Sequence, residues 1–348
     1  MKGLIHISIL CLLSALFLLS SKNAQGQDIH YTQFTLQPLQ QSPAFAGNFN
    51  GDHRFAALYR NQWATVAVPY NTLGFAYDSK VYTTKKFDSF LSAGGQFFFD
   101  QAGDSRLRSL YLQLPMSYTL YLPAGEGNTF KLGTGFYVGL LNKSFNTSQL
   151  QFDNQYTGNI FDPNIPIAEN FDQLGFTKPD IGLGYQLGLN LKEKTAFGIG
   201  FGIHHLNRIE ESFINDGVGI SLAKRYALPA YFKTELTPVW DLRFDYLYQT
   251  QNTFSEHTVG ALASYFIRKD GPAIKSIEFG TYYRWADALS GIVRYQLNNM
   301  LFAFSYDINT SKLQAATNGY GGIEIGMVYT IKQVKEPQIK YKRKCVVF

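Results

Sequence analysis

Two adjacent histidines, His204-His205, are by residue type the best placed in this chain to hold a metal or move a proton. They follow a run in which Phe197, Ile199, Phe201 and Ile203 alternate with Gly198, Gly200 and Gly202. Neighbouring side chains on a strand point to opposite faces, so this pair cannot chelate one ion without a bend. A lipid-hydrolysing barrel would need a hydroxyl bonded to one of them and an orienting partner. Hydroxyls are plentiful, but no spacing singles one out. A second cluster is rich in oxygen: Asp153, Asp162 and Asp172 with Asn154, Asn159, Asn164 and Asn170. It lacks the Asp-x-Asp-x-Asp-Gly order of a calcium loop, and it reads as a solvated surface loop. The chain is therefore read as non-enzymatic, with no cofactor and no metal.

The remaining polar chemistry is charge pairing. Arg60 and Trp63 fall on the first predicted strand at opposite parity, as do Arg54 and Phe55. An arginine facing a dry interior needs a carboxylate or water, because an unpaired buried charge is costly. Asp241, Asp245 and Glu324 are the candidate acids. The functional alternative is an arginine that grips a docked polypeptide.

These side chains need a wall to hold them, and the sequence supplies one. From about Arg54 to Lys332, large apolar residues alternate with small or polar ones. The clearest run is Ile181-Gly-Leu183-Gly-Tyr185-Gln-Leu187-Gly-Leu189-Asn-Leu191. Trp240, Leu242, Phe244, Tyr246 and Tyr248 alternate in the same way with Asp241, Arg243 and Asp245. A period of two gives each strand one greasy face and one wet or empty face. Charges opposite a band of aromatics suit a barrel with lipid outside and polar packing inside. A soluble β-sandwich also alternates, but with shorter strands and a polar face rich in Lys and Glu.

Fourteen strands can be drawn, from 53–63 through 180–192 to 320–332. Short turns such as Thr237-Pro238 and Asn298-Asn299 alternate with long connections at 146–178, 207–222 and 308–319. That asymmetry is expected of outer-membrane barrels, whose periplasmic turns are short and whose outer loops are long. Aromatic residues make up 16% of the chain, which fits strands half exposed to lipid.

The ends read differently. Lys2, the apolar stretch from Leu4 to Leu19 and Ala24-Gln25-Gly26 form a secretory signal. Cys11 lies inside that stretch, so only Cys345 would remain, and no disulfide framework is expected. The formal net charge of +5 is concentrated at the far end. Lys332, Lys335, Lys340, Lys342, Arg343 and Lys344 are opposed there only by Glu336. A local tail of this kind does not argue for nucleic-acid binding. The expected organisation is signal 1–26, periplasmic N-terminal segment 27–52, β-barrel 53–332 and periplasmic basic tail 333–348. The fold class is thus all-β: a transmembrane outer-membrane β-barrel of about fourteen antiparallel strands.

Between signal and barrel lie Asp28-Ile-His30-Tyr31-Thr-Gln33-Phe34, then Pro38, then Ser42-Pro43-Ala44-Phe45-Ala46-Gly47. This stretch is too irregular for a strand and too aromatic to sit comfortably in water. It either folds against the barrel mouth or plugs the lumen, or it is a flexible leader. Together with Tyr59-Arg60-Asn61-Gln62-Trp63, it resembles the start of the PorP/SprF family, outer-membrane proteins of the type IX secretion system of Bacteroidetes. The family usually has Asn where this chain has Ser42.

The resemblance implies a non-enzymatic barrel that helps export or hold a surface client, such as a gliding adhesin. It also implies contact with periplasmic and outer-membrane secretion-machine subunits, besides membrane lipid. Partner-binding candidates are then Asp28, His30, Gln33, Phe34, Pro43, Gly47, Arg60 and Trp63, with Lys340, Lys342, Arg343 and Lys344 in the tail. Two other functions remain open: a transport barrel for hydrophobic or small solutes, and a structural barrel anchoring the envelope through its tail.

Overall fold

The computed structural model describes residues 28–332, apart from 66–67, 85–88, 104, 148–149, 159, 169–170, 172, 193, 214–220, 270–273 and 313. The expected signal and the basic tail, with Lys340, Lys342, Arg343 and Lys344, lie outside the described residues. The strands are β1 (His53–Gln62), β2 (Tyr70–Thr83), β3 (Phe90–Ala102), β4 (Leu107–Pro123), β5 (Thr129–Ser144), β6 (Tyr156–Thr157), β7 (Ile160–Phe161) and β8 (Gly175–Leu191). They continue as β9 (Thr195–His204), β10 (Arg225–Thr237), β11 (Trp240–Gln251), β12 (Phe254–Arg268), β13 (Lys275–Arg284), β14 (Ala288–Leu297), β15 (Met300–Asn309) and β16 (Tyr320–Ile331). Apart from β6 and β7, which pair only with each other, these fourteen described strands close into one antiparallel barrel. β1 closes onto β16 with Arg60 opposite Glu324 and Leu58 opposite Gly326. Closure leaves no unpaired edge, the condition for a sheet to cross a bilayer.

The alternation sets which side chain faces where. On β8 the side chains of Ile181, Leu183, Tyr185 and Leu187 are exposed on the outer surface, while Asp180 and Gln186 are buried inside. Trp240 packs on Tyr265 and Phe279 near the short-turn end, and Tyr283 on Trp285 at the other. Such aromatic contacts at both rims match the interfacial girdles of membrane barrels. The long connections 145–174 and 205–224 lie at one end, with 310–319. Connections at the opposite end, such as 124–128 and 238–239, are short.

Strand ends shift by a few residues from those expected, and two of the shifts have a clear local cause. β1 stops at Gln62, so Trp63 is not on the strand: it takes φ 57°, and its N–H donates to the Gly321 carbonyl at 2.8 Å. β8 starts at Gly175 and not at 180, with Pro179 opposite Leu140. Proline lacks a ladder donor and breaks the apolar period, which hid this end of the strand.

Candidate functional site

The N-terminal segment lies inside the barrel. From Gly51, beside Thr330 at the short-turn end, the chain runs back through the lumen to Asp28, which meets Gln251 and Arg225 at the long-loop end. The expected periplasmic segment 27–52 is thus enclosed by the wall over 28–47. Asp28 and the end of β16 consequently lie at opposite ends of the barrel. Of the readings left open by the sequence, the plug is the one found. The physical reason is the inner wall. Glycines on β5, β8 and β9 remove side chains where the segment passes, so its backbone can approach the sheet closely. A Cβ on Gly135 would lie 2.7 Å from the Ala44 nitrogen, and one on Gly184 would lie 2.8 Å from Pro43 Cδ. The Gly202 position abuts the Gln41 carbonyl and the Gly200 position abuts the Phe45 ring.

Short turns keep the segment compact. Pro38 opens one turn of helix and Pro43 a 3-10 turn capped by the Ser42 hydroxyl; proline suits a first helical position because no donor is lost there. Side chains of wall and segment then bond each other's backbone. Gln186 Nε2 donates to the Ala44 carbonyl at 2.5 Å, Ser117 Oγ to Ala46 at 2.8 Å, and Ser42 Oγ donates to the Phe201 carbonyl at 3.0 Å. Gly47 has φ +72°, gives its N–H to Asp78 Oδ2 at 2.7 Å, and has no room for a side chain beside Ser92. Phe34 packs on Tyr282, ring centroids 5.5 Å apart, within Ala227, Leu247, Leu262 and Ile292.

Ion pairs lock the upper half. Arg60 Nη1 donates to Glu324 Oε1 at 2.7 Å and to Thr32 Oγ1 at 2.9 Å, while Nη2 reaches Asp307 Oδ2 at 3.1 Å. The Thr32 and Gln33 N–H groups donate to the two oxygens of Glu324 at 2.5 and 2.9 Å. Arg294 Nε donates to Gln33 Oε1 at 2.9 Å and its Nη1 to Glu278 at 2.6 Å. Of the three acids foreseen for Arg60, Glu324 is therefore the partner. Asp241 instead pairs with Lys233 and Lys269, and Asp245 with Arg243.

His204 and His205 have different neighbours. His204 stacks on Tyr137. His205 is clamped between two carboxylates, Asp180 Oδ1 at 2.9 Å and Asp28 Oδ2 at 2.7 Å, with Tyr111 donating to Asp28 at 3.1 Å. Burial pulls the His205 imidazolium down, but Asp28 and Asp180 outweigh it and push its pKa up to about 9. Burial pushes the Asp28 carboxyl up, but His205 and Arg225 hold it far below the usual carboxylate range. Burial, with Arg284, Arg60 and Arg225 nearby, pushes the His30 imidazole well below its ordinary value.

A raised histidine pKa contributes stability that is full below the unfolded value of 6.5 and lost as pH rises toward about 9. The shift corresponds to roughly 3 kcal/mol. Thermal melting in detergent should therefore fall between those pH values in the wild type, and His205→Gln should flatten that part of the profile. An identical profile in the variant would remove His205 from this role.

Above this latch, Ile209 and Leu222 fold in from the connection 205–224 and join Tyr31, Phe98, Tyr111 and Leu141 in one apolar cluster. The cavities described beside Asp28 measure about 20 and 10 Å³, room for little more than a water. The short-turn end differs. A cavity of about 1230 Å³ opens there, lined by Asn48, Phe49, Lys80, Lys131, Tyr121 and Tyr231 among others.

The plug carries the motif that also carries the family resemblance, and the whole barrel follows it. A family model described as type IX secretion system membrane protein PorP/SprF matches residues 23–329. The chain belongs to this family. This PorP/SprF barrel also resembles solved structures, each at a TM-score below 0.5. The Ralstonia pickettii toluene transporter TbuX is 13% identical, covering 84% of this chain and 92% of that one, with TM-score 0.46. The Pseudomonas putida toluene transporter TodX is 11% identical, covering 86% and 93%, with TM-score 0.43. No curated protein matches this PorP/SprF sequence.

Of the candidate residues within the described range, Asp28, Gln33, Phe34, Pro43, Gly47 and Arg60 all meet at the plug–wall contact, and His30 lies half-buried beside them. Trp63 stands apart, its ring edge-on to Tyr70 at 4.9 Å. Sequence reasoning missed Asp180, Arg225, Arg284, Arg294 and Asp307, which complete the locks. Their parity could have found them: Ser305, Asp307 and Asn309 share one face of β15 and are all buried.

Proposed function

We propose that this protein is a non-enzymatic outer-membrane component of type IX secretion that supports export or surface attachment of a client protein. The observation that carries the reading is the plug. The segment bearing the family motif closes the barrel from within, and its buried ion pairs hold it there. A barrel sealed in this way is suited to bind proteins at its two mouths and poorly suited to pass solutes along its wall. In the proposed orientation the short turns face the periplasm and the long loops face outward, following the loop asymmetry of such barrels. The tail with Lys340, Lys342, Arg343 and Lys344 then continues from the periplasmic end of β16, within reach of a machine subunit by electrostatic attraction. The long connection 145–174 is the natural outer site for a client.

Deleting the gene should leave one specific surface protein unexported or undisplayed, with general permeability unchanged. Surface proteomics beside antibiotic and solute uptake measures both. Normal display together with lost uptake of a hydrophobic solute would instead establish a transport barrel.

A further inference from the structure

Five Lys or Arg side chains rank as buried among the described residues, and four of them face carboxylates: Arg60, Arg225, Arg284 and Arg294. The fifth is Lys131 on β5, only 4% exposed. Among the described residues its Nζ is held by neutral groups, donating to Asn48 Oδ1 at 2.9 Å and Tyr231 OH at 3.3 Å, with the Tyr231 ring centroid 5.8 Å away. A buried ammonium without a counter-charge is expensive. This one lines the cavity of about 1230 Å³ at the short-turn mouth.

A second cavity of about 330 Å³ shares Asn48 and Tyr231 with the first and continues upward beside the plug, walled by Phe34, Pro38, Phe45 and Pro229. The bases that line it already have acids: Arg54 with Asp78 at 2.8 Å, Arg243 with Asp245 at 2.8 Å and Lys233 with Asp241 at 3.1 Å. Among the described residues, Lys131 thus stands without an ion pair where a wide polar cup, whose lining also includes Asp52, Lys80 and Glu126, meets a narrower, partly apolar slot. A ligand that uses both needs an anion and an apolar group a few ångströms apart. The cup also exceeds the usual span of small-molecule sites, roughly 300–1,000 Å³. Inorganic phosphate would use the cation and leave the slot idle.

We propose that this vestibule receives an extended acidic peptide segment of a partner protein, one carboxylate pairing with Lys131 Nζ and a neighbouring apolar side chain entering the slot. The proposal rests on the protein-binding reading above and assigns it a site. Asn48 sharpens the test, because an aspartate there would place a carboxylate where Lys131 already bonds.

The probe is a fluorescent decapeptide of glutamates around one phenylalanine, titrated into the full-length barrel in detergent, with its glutamine counterpart as control. The glutamate peptide should bind the wild type and lose at least about tenfold in affinity in Lys131→Met. Asn48→Asp should lose binding by a similar factor while melting no lower than the wild type, since it satisfies the lysine internally. That second variant keeps the test valid if Lys131→Met folds poorly. Equal binding of the two peptides, or unchanged affinity in Asn48→Asp, overturns the proposal. So does phosphate that binds the wild type as tightly as the glutamate peptide, which would make the site one for a small anion. The titration is independent of the display assay. Display lost on gene deletion without peptide binding would reject this site alone, and peptide binding with display intact would reject the secretion reading alone.

Discussion

Arg60→Met should destabilise the barrel by about 3–5 kcal/mol, the usual consequence of removing one partner from a buried ion pair. Arg60 stands between two acids that the rest of the fold keeps in place. Glu324 is pinned by the N–H groups of Thr32 and Gln33, and Asp307 by Ser290 Oγ at 2.7 Å. Without the guanidinium, Glu324 loses its only ion pair among the described residues, and Asp307 keeps only Arg284, at 3.2 Å. Both carboxylates are at most 1% exposed, so water cannot replace the lost charge. Methionine retains much of the volume, which confines the effect to charge. The temperature at which the barrel loses its compact gel migration reads the change. Glu324→Gln added to Arg60→Met should recover part of the loss, because the orphaned charge is gone. A single variant that melts with the wild type would show that the ion pair does not hold the plug.

Valines at Gly135 and Gly184 together should drive the plug out and open a pore. The Cβ atoms they add would meet backbone nitrogen and carbon of Pro43-Ala44, the Ser42 hydroxyl and the Pro43 ring, and all but the hydroxyl cannot move as a flexible side-chain end would. Valine itself is at ease in a strand, so the wall keeps its ladder while residues 42–46 lose their seat. Three wall-to-segment hydrogen bonds go with it, each worth about 1 kcal/mol. Planar-bilayer recordings should show discrete conductance absent from the wild type, and protease should newly cut between residues 28 and 47. A double variant that stays closed and protected would mean the wall adjusts around the segment, and the glycines would then not be what admits it.

How legible the protein was in its residues differs between wall and lumen. Ile181 to Leu191 announces a lipid-exposed strand, because a period of two is a local property. The same rule brought the expected wall close to the observed strands, including the closing one at Tyr320–Ile331. It failed at Pro179, where the period breaks although the ladder continues, and at Trp63, where a left-handed residue ends the strand one position early.

The partners inside could not be read this way. Asp28 lies 177 residues from the histidine it clamps, and Thr32 lies 292 from Glu324. Strand parity states that Arg60, Glu324, Asp241 and Asp245 all point inward, but not at which height or angle around the lumen each one sits. Closure of β1 onto β16 made that choice, placing Arg60 opposite Glu324 in register.

The sequence by itself therefore determined the barrel, its greasy exterior and the asymmetry of its ends, since alternation and turn chemistry act over a few residues. Only the tertiary structure decided that the segment of the family motif runs inward and upward to seal the lumen. Glycines that locally look like empty positions become a channel for backbone only when β5, β8 and β9 stand side by side and another part of the chain lies against them.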